Sequence, residues 1–389
     1  MSATANAEIQ TAVSGLGSLI EQSAAESEQS RRVVQPVIDA MRGTGVFHTF
    51  VPAALGGSEI DLPNALRLFE DACAADGSTG WLTMIGAMSG ITAAYFPEEG
   101  ARRVFGTAPG VLTCGVVAPR GKAVTVQDGY RVTGRWPFAS GCLHSSWVAL
   151  NCFVETNGEL EKLPNGQPDL RFIMFPVSDV EILDTWYVSG LRATGSNDVA
   201  VNDVFVPREQ TYSFILDPPL HPGTLYRGSI PGVFACGVAA CALGIGRGAL
   251  DEIRALAPNR TPVSRSGTLA EWGYAQAEFA RGEASLRAGR AFLFGAVQDV
   301  WDTLDRGETP TVERQALMRL AASHAVEGAV RAVDAAYGLG GGSAIYESSG
   351  LQRRFRDIHT LTQHFLIAPA TVELAGRALF GLEMEPGFL

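Results

Sequence analysis

The chain lacks any Cys-x-x-Cys pair, any basic run longer than two residues and any long uninterrupted apolar run, and each lack removes a class of function. Its six cysteines, Cys73, Cys114, Cys142, Cys152, Cys236 and Cys241, are scattered, which suits small buried thiols in a reducing compartment better than a disulfide or zinc framework. With 30 Lys and Arg against 41 Asp and Glu, a net charge of -11 offers phosphate backbones no general attraction, so no nucleic-acid partner is expected. The most apolar stretch, Ile230 to Ile245, is shorter than the roughly 20 residues of a membrane span and rich in Gly, Ala and Cys, which reads as a packed interior helix and predicts no membrane association. Residues Met1 to Gln10 show neither the positive start nor the apolar core of a secretory signal, so a cytoplasmic protein is expected. There is no Gly-x-Ser-x-Gly elbow, Walker loop or His-Glu-x-x-His, which sets aside the commonest hydrolase, nucleotidase and zinc readings. Histidines are few, and His359 and His364 would stand about 140° apart on a helix, so they do not share a metal and no metal site is expected.

What is present falls into three zones. A length of 389 residues exceeds one ordinary hydrophobic core. Apolar spacing of three and four in Val33, Val37, Ile38 and Met41, and again in Leu66, Phe69 and Cys73, predicts helices up to about residue 108, with Pro63 in the first turn of one. Between 110 and 225 the pattern changes to short β-rich runs, with Gln127-Asp128-Gly129 set for a hairpin. Beyond Pro231 helical stretches are expected at 232–257, 268–305, 311–337 and 354–380, Thr309-Pro310 serving as a helix start; four long helices suggest a bundle. The predicted class is α+β, with domains at 1–108, 109–228 and 229–389.

Three local segments carry candidate chemistry. Gly244-Ile245-Gly246-Arg247-Gly248 lacks a preceding strand and reads as close helix packing rather than a dinucleotide fingerprint. Gly338-Leu339-Gly340-Gly341-Gly342 is either a plain helix C-cap or a loop whose amides approach a phosphate or ring edge. Gly134-Arg135-Trp136-Pro137-Phe138-Ala139-Ser140-Gly141 is either a sheet-edge turn or the apolar wall and hydrogen-bonding group that a flavin ring needs.

The order of zones together with these segments resembles the acyl-CoA dehydrogenase superfamily over about residues 15 to 385. Val51-Pro52 through Gly56-Gly57 is similar to its early loop, Ser78-Thr79-Gly80-Trp81 to the following helix start, and Trp136 to Gly141 to the segment that meets the flavin ring. Asp184-Thr185-Trp186-Tyr187-Val188-Ser189-Gly190-Leu191-Arg192-Ala193-Thr194-Gly195-Ser196-Asn197-Asp198-Val199 resembles the branch of reduced-flavin monooxygenases, as does Arg353 to His364. Dehydrogenases of the common type carry a glutamate base shortly after the matching Arg-Asp; here no acid follows Asp357 until Glu373, and the aligned place is near His364-Phe365.

The resemblance implies an N-terminal helical domain, a central β-barrel and a C-terminal four-helix bundle in a homotetramer. It also implies an oxygenase that receives FADH2 or FMNH2 from a separate NAD(P)H-dependent flavin reductase and, through a flavin hydroperoxide and O2, oxygenates a small aromatic or heteroatom-containing molecule. By resemblance Ser140 meets the flavin middle-ring nitrogen, and His364 meets the peroxide or substrate. Trp136, Phe138, Ala139, Arg192, Thr194, Ser196, Arg260, Gly341 and Gly342 are the further flavin-binding residues, the glycines approaching a neighbouring subunit's cofactor. The helix at Met84 to Gly90 lacks the histidine that several hydroxylases of this branch carry, which argues against phenol activation. Two rival expectations are a dehydrogenase whose base has moved to Glu252 and a flavin-binding protein without catalysis.

Overall fold

The computed structural model describes residues 3–106, 110–263 and 266–383; the expected domain boundary at 108 and 109 lies outside them. Six helices open the chain: α1 (Ala3–Ser14), α2 (Gly17–Ser30), α3 (Gln35–Gly43), α4 (Leu62–Ala75), α5 (Gly77–Met88) and α6 (Glu98–Phe105). The start of α4 is fixed as the sequence suggests, by Pro63 in its first turn and by the Asp61 carboxylate accepting the Asn64 amide at 2.9 Å.

Eight strands follow: β1 (Thr113–Val126), β2 (Gly129–Trp136), β3 (Trp147–Thr156), β4 (Glu159–Leu160), β5 (Leu170–Pro176), β6 (Glu181–Leu183), β7 (Asp198–Pro207) and β8 (Thr211–Tyr212). A two-residue turn joins β1 to β2, with Asp128 supplying the positive φ of 64° and Val126 paired to Gly129. On β2, Tyr130, Val132 and Trp136 face the sheet core while Arg131, Thr133 and Arg135 face water, the period of two that a half-buried strand shows. The sheet is mixed, since β1 runs parallel to β3 and the other pairs are antiparallel. Its order is β6-β7-β2-β1-β3-β5-β8 with β4 beside β3. The expected closed barrel is therefore an open sheet: the end strands have three and two residues, too short to carry pairing round from one edge to the other.

The helices return as α7 (Ile230–Leu256), α8 (Gly273–Asp305), α9 (Val312–Gly340), α10 (Gly350–Leu361) and α11 (Pro369–Leu379). Although α7 is long and apolar enough to cross a membrane, 89% of its most apolar window is buried within the protein. Its glycines serve packing, as predicted: a Cβ at Gly244 would stand 2.2 Å from the Glu70 carbonyl on α4, and one at Gly246 would stand 2.8 Å from Leu286 on α8. Burying Met84, Ile245 and Leu250 completely contributes roughly 1.5–3 kcal/mol each. Two expectations need correction. The cap of α9 is Thr311, whose hydroxyl accepts the Arg314 amide, so Pro310 precedes the helix rather than starting it. The fourth long helix is two, because Pro369 cannot donate to a continuing ladder and pushes its predecessor out of helical conformation. That break frees His364 from any long helix and sets it at the N-cap of a short turn, Phe365–Ile367.

Candidate active site

Two loops from the sheet zone and one helix start converge on Trp81. The 184–199 loop is stitched to α10: the Leu191 amide donates to Asp357 Oδ1 at 2.6 Å and Arg356 Nη1 to the Ser189 carbonyl at 2.6 Å. Gly190 lies against the α10 backbone so closely that a Cβ would stand 2.1 Å from the Arg356 carbonyl oxygen. Asn197 then joins the loop to the 138–141 segment, its carbonyl accepting the Ala139 amide at 3.1 Å, while its side-chain oxygen takes the amides of Thr185 and Trp186. The Gly141 amide donates to the Thr194 carbonyl at 2.9 Å. Phe138 and Leu191 hold positive φ angles of 67° and 50°, a strain of order 1 kcal/mol or more each that these surrounding bonds fix in place.

The result is a chain of hydroxyls. Trp81 Nε1 donates to Ser140 Oγ at 3.2 Å, Ser140 and Ser196 Oγ lie 2.7 Å apart, Ser196 and Thr194 Oγ1 lie 2.7 Å apart, and Thr194 donates to the Leu191 carbonyl at 2.7 Å. A carbonyl only accepts and an indole N–H only donates, so the protons run one way, from Trp81 through Ser140, Ser196 and Thr194 to Leu191. Ser140 thereby gives its proton to Ser196 and keeps one lone pair for a donor from outside.

Across Trp81 stands His364, its ring edge-on to the indole at a centroid distance of 5.5 Å and stacked on Phe365 at 4.9 Å. The Leu366 amide points at His364 Nδ1 at 3.4 Å. Burial, helped by the charge of Arg319, pushes the imidazole down to about 4, so at neutral pH the ring is uncharged. With Nδ1 accepting, the ring proton sits on Nε2. The structure thus brings Ser140 and His364 to one tryptophan, Trp81, whose role its motif did not reveal.

The remaining candidates divide. Ala139, Thr194 and Ser196 are buried in the hydroxyl network, and Arg192 lies at its edge with its Nε buried and unpartnered. Phe138 is 67% exposed and packs edge-on to Trp186. Trp136 offers no wall to a ligand: it is fully buried on the core face of β2, its indole donating to the Asn151 carbonyl at 2.7 Å. Arg260 and Gly341 form a second group, with Arg260 Nη1 donating to the Gly340 carbonyl, Gly341 at a φ of 49°, and the neighbouring Gly342 in open space. Glu252 is committed to structure, accepting the Leu351 amide at 3.1 Å and pairing with Arg354 at 3.4 Å. On α5, Met84, Ala87 and Met88 are core residues, and the rings of Tyr95, Phe96, Phe172 and Tyr212 pack on one another instead of lining a pocket. Among the described residues no group of three or more His, Cys, Asp or Glu could hold a metal ion. Asp357, wholly buried near Asp76, is pushed up to about 7, chiefly by burial.

Comparison with known proteins gives this geometry its setting. Residues 236–369 match the family model of the acyl-CoA dehydrogenase C-terminal domain. An indole-3-acetate monooxygenase of Pseudomonas putida is 32% identical over 365 residues, covering 94% of this chain and 91% of that protein. The oxygenase component of an FADH2-dependent resorcinol hydroxylase from a Rhizobium species is 29% identical, covering 95% and 93%. The crystal structure of a 3-HSA hydroxylase from a Rhodococcus species superposes with a TM-score of 0.90 at 27% identity, covering 98% of this chain and 99% of that one. With relatives of this kind along its whole length, the chain belongs to the flavin-dependent monooxygenases built on the acyl-CoA dehydrogenase fold.

Proposed function

We propose that this chain is the oxygenase component of a two-component system, taking FADH2 or FMNH2 from a separate NAD(P)H-dependent flavin reductase and inserting one atom of O2 into a small aromatic molecule. The observation that carries the reading is the meeting of Ser140 and His364 at Trp81. The residues fit a reduced flavin. Ser140 keeps a free lone pair for a ring N–H, Arg192 Nε is a buried donor without an acceptor, and Phe138 exposes a flat apolar face from a strained backbone. Bound reduced flavin supplies the electrons that activate dioxygen and allow one oxygen atom to pass to the substrate.

The protein's own part is hydrogen bonding and shelter. Ser140 accepts at its free lone pair while the chain runs towards Leu191; when all three hydroxyls turn over, Ser140 donates instead, at the cost of the Thr194 bond to Leu191. His364, neutral because burial holds its pKa down, keeps its proton at Nε2 and offers that N–H as a hydrogen bond without becoming charged. The buried Trp81 and the stacked Phe365 give the imidazole apolar neighbours on two of its flanks.

The wider arrangement belongs to the same proposal. Zones 1–108, 109–228 and 229–389 act as helical, sheet and bundle domains of a cytoplasmic homotetramer. In that assembly the Arg260, Gly341 and Gly342 group faces a neighbouring subunit's flavin, a reading supported by the exposed Ile345 and Tyr346 just beyond the glycines. The dehydrogenase alternative loses support because Glu252 is bound up in the α7 to α10 contact.

Stopped-flow absorbance tests the reading. Reduced flavin mixed with the protein and then with oxygen is expected to reoxidise through a transient that lasts seconds, and reoxidation indistinguishable from free flavin would sink it. Ser140→Ala is expected to shorten the transient, while His364→Ala mainly lowers product formed per flavin oxidised.

A further inference from the structure

Beside the turn that carries His364, the helices enclose a cation that pairs with no carboxylate among the described residues. Arg319 on α9 is 4% exposed. Its Nη1 donates to the Pro231 carbonyl at 2.9 Å and its Nη2 reaches Thr371 Oγ1 only at 3.5 Å, while Nε is buried without a partner. One helical turn on, and so on the same face of α9, Ser323 is also 4% exposed and its hydroxyl is unpartnered. Several other buried or half-buried arginines take carboxylates: Arg247 takes Glu283, Arg354 takes Glu252 and Arg356 takes Glu28. Arg319 forms no such ion pair among the described residues, although the chain carries 41 acids.

A buried guanidinium is stable when its charge is matched, and two neutral acceptors answer only part of its five donors. Ser323 adds an unused donor to that face, so two polar side chains from one helix, both more than nine-tenths buried, await the same partner. The partner they fit is an anion with two or more oxygen acceptors, and a planar carboxylate matches the fork of an arginine best. Thr371, which Arg319 reaches, donates its hydroxyl to the Leu366 carbonyl at 3.3 Å, and the Leu366 amide points at His364 Nδ1 at 3.4 Å, so a short run of contacts joins Arg319 to the turn that carries His364.

We propose that Arg319 and Ser323 recognise a carboxylate on the substrate, so that this oxygenase acts on aromatic carboxylic acids whose ring lies on the Trp81 and His364 side. The assignment of the anion to the substrate rests on the monooxygenase reading; the anion site itself does not. A phosphate of the flavin would satisfy the same donors, and the experiment separates the two.

Isothermal titration of the full-length, flavin-free protein with pairs of acids and their amides, indole-3-acetate against indole-3-acetamide and phenylacetate against phenylacetamide, measures the discrimination. Wild type is expected to prefer at least one acid over its amide by about ten-fold or more, the size of a charge-assisted hydrogen-bond pair. Arg319→Gln is expected to bring the ratio near one, Arg319→Lys to restore part of it, and Ser323→Ala to narrow it several-fold. Should Arg319→Gln fail to fold by circular dichroism, Ser323→Ala, which deletes an unpartnered group, carries the test. Equal binding of acid and amide across the panel, or an unchanged ratio in these variants, overturns the proposal. A loss of FMN or inorganic phosphate affinity in place of acid affinity also overturns it. Oxygenation of uncharged rings with no preference for acids would do so while leaving the oxygenase reading intact. Conversely, unperturbed flavin reoxidation alongside strong acid preference would remove the oxygenase reading and leave the anion site standing.

Discussion

Trp81 separates two regions that treat polarity in opposite ways. On the sheet side, each hydroxyl from Ser140 to Thr194 has found a partner within 2.7 Å, and the Leu191 carbonyl at the end of the line takes a second bond from Trp186 Nε1 at 3.1 Å. On the helical side, Arg319 Nε and Ser323 Oγ are buried and have none. A satisfied network is stable before any ligand arrives and fixes the direction of its own groups. An unsatisfied pair costs free energy in the empty protein and recovers it on binding, which turns a stability deficit into affinity and selectivity. One side is preorganised for orientation, the other is held open for recognition.

The comparison breaks first at Gly190. Alanine there would put Cβ 2.1 Å from the Arg356 carbonyl oxygen, backbone against backbone, with no flexible side chain to yield. The 184–199 loop must lift from α10, taking the Leu191 amide from Asp357 and the hydroxyl line from Ser140. Gly190→Ala is expected to cost about 3 kcal/mol in urea unfolding, and an unchanged midpoint would mean that the loop is not anchored as described. Ser196→Ala acts on the middle of the line alone, leaving the Ser140 proton without an acceptor, and should cost about 1–3 kcal/mol.

How much of this was legible beforehand differs between the same two regions. The sheet-side residues lay in two sequence segments, around Ser140 and around Arg192 to Ser196, and their resemblance to known segments named them without showing that they form a single line of bonds. Trp136 misled because an aromatic in a Gly-rich run reads as a wall, whereas strand alternation places it with Tyr130 and Val132 on the core face. The barrel misled because strands of two and three residues have no periodicity to read. The helix break before His364 was signalled by Pro369, yet Leu361 and Leu366 continue an apolar pattern across it. Arg319 gave no signal at all: its contacts, Pro231 and Thr371, lie far away in the chain, and one arginine within a helical run looks like a solvated charge.

Protonation sharpens the contrast further. His364 is held at about 4 against a usual 6.5, so the unfolded chain binds a proton that the folded one refuses, and stability from this group falls as pH drops from 6.5 towards 4. Asp357 is held at about 7 against a usual 3.8, so the folded chain keeps a proton that the unfolded one has lost, and stability from this group falls as pH rises from 3.8 towards 7. Between about pH 4 and 6.5 the two oppose each other. Relative to wild type, His364→Gln is expected to make stability decline more steeply with rising pH in that window, and Asp357→Asn to make it climb. Parallel profiles for all three proteins in urea unfolding would remove both assignments.

The smallest expected change is the most discriminating. Ser323→Ala deletes a hydroxyl that has no partner, so the empty protein loses no hydrogen bond and sheds a buried group whose desolvation was never offset. Its unfolding free energy should stay within about 0.5 kcal/mol of wild type or rise slightly, whereas the same chemical deletion at Ser196 is costly. Two Ser→Ala substitutions at equally buried sites, 4% and 3% exposed, would then differ only in whether the oxygen had a partner. A loss at Ser323 as large as that at Ser196 would mean that an ordered water already satisfies the hydroxyl, and the helical side would be as complete without a ligand as the sheet side.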